Sequence, residues 1–338
     1  MKILLIYTGG TIGMVHDAET GAYIPFDFEN LQAQIPELKQ LNCKLEIISY
    51  EPSIDSSDIH PNIWVQLGET IEENYDKHDG FVILHGSDTM AYTASALSFI
   101  LENLNKPVIL TGSQLPSGVP RTDAKENLIT AIEIAASTRE GLPEIAEVAV
   151  YFEYQLYRGN RTHKVNAEHF EAFESVNYPP LAEAGVHIKF NRRYTQSVNN
   201  ESLIVHKTFN PNIGVLKLFP GITETTVRSI LSAPGVQALI LESFGSGNAP
   251  TYPWFLKALQ EAINRGILIL NVSQCQGGSV DLGRYQTSKA LKDMGVLSAY
   301  DMTFEAALTK MMFVLEYSND VVRRKDLLNR NLQGEMTC

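Results

Sequence analysis

Cysteine is scarce in this sequence and spread thin: Cys43, Cys275 and Cys338 are the only three in 338 residues. An odd number at such separations offers no disulfide framework and fits a reducing compartment, so the cytoplasm is the expected location. Basic residues are outnumbered. The 27 Lys and Arg face 39 Asp and Glu, and the formal charge of −12 argues against a nucleic-acid surface, which needs a Lys/Arg stripe. Long apolar runs are missing. None approaches the ~18 residues of a membrane helix, so no membrane partner is expected. The opening Met-Lys-Ile-Leu-Leu-Ile resembles the start of a secretory leader, but its apolar run stops at Gly9 and no small-residue cleavage site follows. It is therefore expected to be a strand of the mature fold. The histidines form no His-x-x-x-His pair and the cysteines no Cys-x-x-Cys pair, so neither a metal nor a cofactor is expected.

What is present is an ordinary globular composition, 44% hydrophobic and 20% charged, long enough for two domains. Apolar runs alternate with helical patterns. Strands are expected at Ile3–Tyr7, Leu45–Ser49, Phe81–Leu84, Pro107–Leu110 and Glu147–Phe152, with helices over Pro61–Glu73 and Met90–Leu104. A third helix runs through Ala136, opened by a capping box at Asp123-Ala-Lys-Glu126. This alternation predicts an α/β fold with a mainly parallel sheet and helices on both faces. A polar stretch over residues 191–212 is the expected linker between a larger domain, 1–190, and a smaller α/β domain, 213–338. In the second half, strands are expected at Ile213–Leu218, Ala238–Leu241 and Ile267–Asn271. Helices are expected at Thr225–Ser232, Trp254–Arg265, Ser288–Met294 and Thr303–Tyr317. The stripe Leu308, Met311, Leu315 in the last helix is core spacing.

Chemistry-bearing residues gather after strands, where ligands bind in open α/β sheets. The first strand empties into Thr8-Gly9-Gly10-Thr11-Ile12-Gly13, which displays the Thr11 hydroxyl on a tight turn. A phosphate loop does not fit, because the spacing is not Gly-x-Gly-x-x-Gly and no helix follows. An incidental threonine on a turn and a nucleophile both remain open readings. His85-Gly86-Ser87-Asp88-Thr89 sets a hydroxyl and a carboxylate at a second strand end, where either could simply cap the next helix. Asp55-Ser56-Ser57-Asp58 reads as a turn or N-cap. Arg158-Gly-Asn-Arg161-Thr-His-Lys164 reads as a solvated basic loop whose Lys164 is a candidate base. Ser113, Ser246 and Ser279 lack the glycines of a nucleophile elbow. Gly245-Ser-Gly247-Asn-Ala-Pro250 has Pro where a dinucleotide fingerprint needs Gly.

Thr8-Gly-Gly-Thr-Ile-Gly13 and His85-Gly-Ser-Asp-Thr-Met90 together resemble the two signature segments of the bacterial-type L-asparaginases. Further matches are Ala22-Tyr-Ile-Pro25, Asp55-Ser-Ser-Asp58, Thr111-Gly-Ser-Gln114, Leu156-Tyr-Arg-Gly-Asn-Arg161 and Gly247-Asn-Ala-Pro250. The Asp-Ser-Ser-Asp segment and Met90-Ala-Tyr-Thr-Ala-Ser95 look more like the cytoplasmic type I branch. The resemblance implies two α/β domains with a left-handed crossover near the catalytic strands, against the usual hand. It implies hydrolysis of L-asparagine, with Thr11 as nucleophile and Tyr23 activating it. Ser87, Asp88 and Lys164 would relay a proton and activate water, with backbone N–H groups near Ser87 as oxyanion donors. Asp55, Ser56, Ser57, Ser87 and Asp88 would bind the substrate, and Asn248 would approach the neighbouring subunit's site in a homodimer or homotetramer.

Three departures from the family pattern stand out. Ser87 replaces the usual Thr but keeps the hydroxyl. His163 stands where cooperative type I enzymes carry Thr, and Glu242 stands where they carry an effector-binding Arg. Cys275 matches their effector-site cysteine. Weakened or absent activation by asparagine is the resulting expectation. Competing readings are an amidase preferring glutamine or a D-amino acid, and an amino-acid sensor without catalysis.

Overall fold

The computed structural model describes residues 1–16, 23–25 and 35–337. The chain divides into two compact units, Met1–Lys207 and Thr208–Cys338.

The first unit is built on an eight-stranded sheet. Its strands are β1 (Lys2–Tyr7), β2 (Lys44–Ser49), β3 (Gly80–Leu84), β4 (Val108–Thr111), β5 (Val148–Phe152), β6 (Gln155–Arg158), β7 (Ala182–Ala184) and β8 (Ile188–Phe190), in the order β8-β7-β6-β5-β4-β3-β1-β2. The first five run parallel. β3, β4 and β5 are buried along their whole length, as expected of a parallel sheet covered on both faces. β2 alternates exposed and half-buried residues and closes one edge with Lys44 and Glu46. β1 lies between β2 and β3, so the chain leaves it first to one side and then to the other. That reversal makes the carboxyl ends of β1 and β3 the crevice of the sheet.

The first helices are α1 (Pro61–Asn74), α2 (Met90–Ile100) and α3 (Ala124–Ala136). α1 buries one face through Trp64, Leu67 and Ile71, whereas α2 is buried almost all round. Two expectations need correction. The helix expected through Leu104 ends at Ile100, where the chain turns extended and Leu101–Glu102 pairs with Ile204–Val205. Asn103 then takes a left-handed turn at φ 61°, a conformation asparagine accepts more readily than most residues. The capping box of α3 does not form. The Asp123 carboxylate accepts instead from the Gln114 and Leu115 N–H groups, and Glu126 accepts from the Tyr151 and Thr130 hydroxyls. The sheet is mainly parallel, as expected, and adds an antiparallel portion at one side. β5 and β6 form a hairpin whose two turn residues, Glu153 and Tyr154, both have positive φ, and β6, β7 and β8 continue antiparallel.

The Arg158–Arg161 run is not solvated. Arg158, Asn160 and Arg161 are buried, and Arg158 pairs with buried Glu147 at 2.5 Å. The same pair ties down some of the polar stretch 191–212. The Arg158 guanidinium donates to the Tyr194 carbonyl at 2.9 Å, and the Gln196 N–H donates to Glu147 at 2.7 Å.

The second unit is a four-stranded parallel sheet of β9 (Ile213–Lys217), β10 (Ala238–Ser243), β11 (Leu268–Ser273) and β12 (Leu297–Ser298), in that order. Its helices are α4 (Glu224–Leu231), α5 (Pro253–Asn264), α6 (Gln286–Asp293), α7 (Phe304–Tyr317) and α8 (Val321–Asn329). Met311 and Leu315 of α7 are buried, as their spacing foretells. From the same helix, Lys310 reaches Glu335 at 2.6 Å with both side chains fully buried. Lys310 also donates to the Leu328 and Arg330 carbonyls, and Glu335 accepts from the Leu332 and Gln333 N–H groups. Such a pair stabilises little against an apolar substitute, but removing one partner strands the other charge. Glu335→Gln is therefore expected to lower the unfolding free energy by ~3–5 kcal/mol. In denaturant titrations, the double variant Lys310→Met/Glu335→Leu should recover only part of that loss, because it leaves the backbone groups bound by both charges without partners.

Candidate active site

The turns that follow β1, β2 and β3 meet backbone to backbone. Thr8 donates to the Leu84 carbonyl through its N–H at 3.0 Å and its hydroxyl at 2.9 Å, and the Ile54 N–H donates to the Thr8 carbonyl at 2.7 Å. Gly9 and Gly10 follow with φ of 141° and 89°. A Cβ on Gly9 would lie 2.1 Å from the Ile54 carbonyl oxygen, and one on Gly10 would lie 2.5 Å from Cα and N of Gly86. A Cβ on Gly86 would in turn meet the Ser56 hydroxyl at 2.5 Å. No side chain fits between these segments, so Thr11, Ser56 and Ser87 are gathered on adjoining turns. Below them the Tyr7 ring lies against Gly13, where a Cβ would fall 2.2 Å from it.

Thr11 opens a single 3-10 turn, Thr11–Gly13, and is half-buried. Ser87 opens another, Ser87–Thr89, which leads into α2. Neither Ser87 nor Asp88 caps that helix. Their side chains turn to Lys164, whose Nζ donates to Ser87 Oγ at 2.8 Å and Asp88 Oδ1 at 2.6 Å. Lys164 sits on a short strand, His163–Lys164, paired with Phe173–Glu174. The Lys164 side chain is 15% exposed against 69% for Asp88, so the ammonium enters from the protein side and the carboxylate faces solvent. The Thr89 hydroxyl donates to the Ser56 carbonyl at 2.6 Å and links this turn to the one after β2. There, Asp55 caps its own turn by accepting from the Ser57 N–H at 2.8 Å and hydroxyl at 2.6 Å. Those bonds hold its carboxyl below the usual carboxylate range.

Residues 2–196 match the family model for the asparaginase N-terminal domain, and residues 212–328 match that for the glutaminase/asparaginase C-terminal domain. The chain belongs to the asparaginase family. It is 46% identical to L-asparaginase 1 of Escherichia coli K12 over 340 residues, covering 99% of this chain and 98% of that one. Among solved structures it is similar to L-asparaginase I from Vibrio cholerae, at 42% identity and a TM-score of 0.91, covering 100% of this chain and 99% of that one. The thermostable L-asparaginase of Thermococcus kodakarensis also gives a TM-score of 0.91, at 33% identity over 100% of both chains. The expected two-domain α/β fold of the asparaginases is the one present.

Within this asparaginase fold, Gln114 joins the site although its sequence did not single it out for a role there. The Ser87 hydroxyl donates to its Oε1 at 3.3 Å, and its Nε2 donates to the His169 carbonyl at 2.9 Å. The signal lay in its placement, since Thr111-Gly-Ser-Gln114 follows β4 as the other site segments follow their own strands. The Tyr23 backbone pairs with His16 in a short ribbon, but its side chain lies outside the described residues. Asn248 belongs to the second unit, where its Oδ1 accepts from the Thr287 hydroxyl at 2.6 Å. In that unit the Glu242 carboxylate pairs with Lys217 at 3.0 Å. Cys275 is exposed, and its N–H donates to the Ser273 hydroxyl.

The glycine contacts make a stability prediction. Gly10→Ala must both strain a positive φ and push neighbouring turns apart, whereas Gly266→Ala strains a φ of 92° in open space. Gly266→Ala should cost ~1–3 kcal/mol. Gly10→Ala should cost more, read as a larger drop in denaturation midpoint.

Proposed function

We propose that this asparaginase hydrolyses L-asparagine to L-aspartate and ammonia through a β-aspartyl ester on Thr11. The observation that carries the reading is that Lys164 binds Ser87 and Asp88 on the turn after Gly86, whose backbone abuts Gly10 beside Thr11. Thr11 Oγ attacks the side-chain amide carbon, the C–N bond breaks, and the hydroxyl proton leaves with ammonia. Water then attacks the ester, restoring the Thr11 hydroxyl and releasing aspartate. Tyr23 activates Thr11, and Ser87 with Lys164 relays protons and orients the water. A hydroxyl is a weak nucleophile at neutral pH and needs such partners.

Substrate recognition follows charge. The Asp88 carboxylate, open to solvent beside Lys164, binds the substrate ammonium. Ser56, with the neighbouring Asp55 and Ser57 turn, holds the α-carboxylate. A substrate lacking either charged group leaves a polar partner unpaired and is rejected. Asn248 completes the site of a neighbouring subunit, so the working enzyme is a homodimer or homotetramer, and it acts in the cytoplasm.

Glu242 occupies the position where cooperative type I relatives bind an effector carboxylate. Glu242 offers no cation to an effector carboxylate, and its own carboxylate is engaged by Lys217 at 3.0 Å, which supports the reading that asparagine does not activate this enzyme.

Two measurements test these points. Purified enzyme should release ammonia from asparagine, Thr11→Ala should abolish that release, and Lys164→Met should lower kcat by ~10²–10⁴. Absence of ammonia release by the wild type, or full activity in Thr11→Ala, would overturn the nucleophile. Faster release from glutamine would favour the alternative amidase. Initial rates against asparagine should be hyperbolic. A sigmoidal curve abolished by Cys275→Ser would contradict the loss of activation.

A further inference from the structure

We propose that His85 is a positioning residue that fixes the Gly86–Ser87 peptide so that the Ser87 N–H faces the Gly10–Thr11 turn as an oxyanion donor. The inference rests on the acyl-transfer reading given above. His85 ends the run out of β3 and is 1% exposed. Its Nδ1 lies 2.7 Å from the Gly86 carbonyl oxygen. A carbonyl only accepts, so Nδ1 carries the hydrogen. Burial pushes the ring's pKa down from 6.5 to about 4, so the ring holds one hydrogen and Nε2 is an acceptor.

The partner of Nε2 is consistent with that tautomer. Thr93 Oγ1, at 2.9 Å, must donate to Nε2 and is therefore free to accept. Trp64 Nε1, which can only donate, meets Thr93 Oγ1 at 3.1 Å. The chain of donors runs one way, from α1 through α2 to His85 and on to Gly86. Trp64, Thr93 and His85 are all buried, so water does not compete with the chain.

The consequence falls on the next atom along. In a trans peptide, C=O and N–H point in opposite directions. Pinning the Gly86 carbonyl toward the buried imidazole therefore turns the Ser87 N–H away from it. Ser87 opens a 3-10 turn, so that N–H has no acceptor within the turn. Gly10, which precedes Thr11, packs so closely on Gly86 that a Cβ on it would lie 2.5 Å from Gly86 Cα and N. A donor held toward a developing oxyanion is worth ~10²–10³ in kcat, so losing its orientation should cost a similar factor.

Four variants of the full-length enzyme test this, with ammonia release giving kcat and KM and calorimetry giving L-aspartate affinity. His85→Leu removes the donor to Gly86 and should lower kcat ~10²-fold or more, with KM and aspartate affinity within ~3-fold. His85→Asn places an amide N–H where Nδ1 stood and should recover kcat to within ~10-fold of wild type. Thr93→Val frees Nε2 and should lower kcat, whereas Thr93→Ser should restore it. If His85→Leu does not fold, the Asn, Val and Ser variants carry the test. Wild-type kcat in folded His85→Leu or in Thr93→Val overturns the proposal. So does a loss in His85→Asn equal to that in His85→Leu, or a loss that appears in KM and aspartate affinity instead of kcat. A wild-type enzyme that releases no ammonia from asparagine sinks the acyl-transfer reading itself, which separates the two failures.

Discussion

The site depends on a contact that side chains cannot make: backbone against backbone where the ends of β1, β2 and β3 converge. Gly9 against the Ile54 backbone and Gly10 against the Gly86 backbone leave no room for a methyl group, and the Ser56 side chain fills the space beside Gly86. A parallel sheet brings its carboxyl ends to one edge, and the reversal at β1 opens a crevice there. The glycines let the turns close that crevice down to atomic contact. Three hydroxyl-bearing residues from segments far apart in sequence thus sit on adjoining turns, each with its own strand as a rigid base.

The antiparallel portion of the sheet serves the same site by another route. The β5–β6 hairpin reverses the chain, and Arg158 is held by Glu147 and by its stacking over Tyr178 at 4.5 Å. The next turn, Gly159–Arg161, is buried against α2, where a Cβ on Gly159 would lie 3.1 Å from that of Ala94. From there two further residues bring the chain to Lys164. A buried cation with a fixed partner therefore sets the approach of the cation that faces the site. The ordering cost of Lys164 is met by its framework, and its ammonium arrives already oriented toward Ser87 and Asp88.

Much of this was legible in the sequence, for reasons that can be named. Strands such as Phe81–Leu84 announce themselves because a strand buried on both faces is an unbroken apolar run. Thr11 and Ser87 stood out because glycine, hydroxyl and strand end coincide. The short strands β7 and β8 were not legible, since three residues carry no period. The end of α2 at Ile100 escaped because Leu101 and Leu104 continue a helical spacing while the chain has already turned to pair with Ile204–Val205. The capping signature at Asp123 misled because a tertiary partner, the Gln114–Leu115 backbone, took the carboxylate. Arg158 and Arg161 misled for a similar reason. Basic residues signal solvent unless a buried acid such as Glu147 lies elsewhere in the chain, and spacing does not reveal which acid that is. Gln114 escaped because an amide signals chemistry only through what it touches.

The glycine junction also bears on how the enzyme comes into being. Each of its segments is shapeless alone, since Gly9 and Gly10 have no conformational preference that would hold Thr11 in place. The turn around Thr11 gains its form from Gly86, far along the chain, and that contact needs the long-range pairing of β3 beside β1. Contacts of such sequence separation are slow to form, because the loop they close must be ordered first. During refolding, turnover should therefore be the last signal to return, later than helix content or collapse, and a partly folded chain has no weakly active form to pass through.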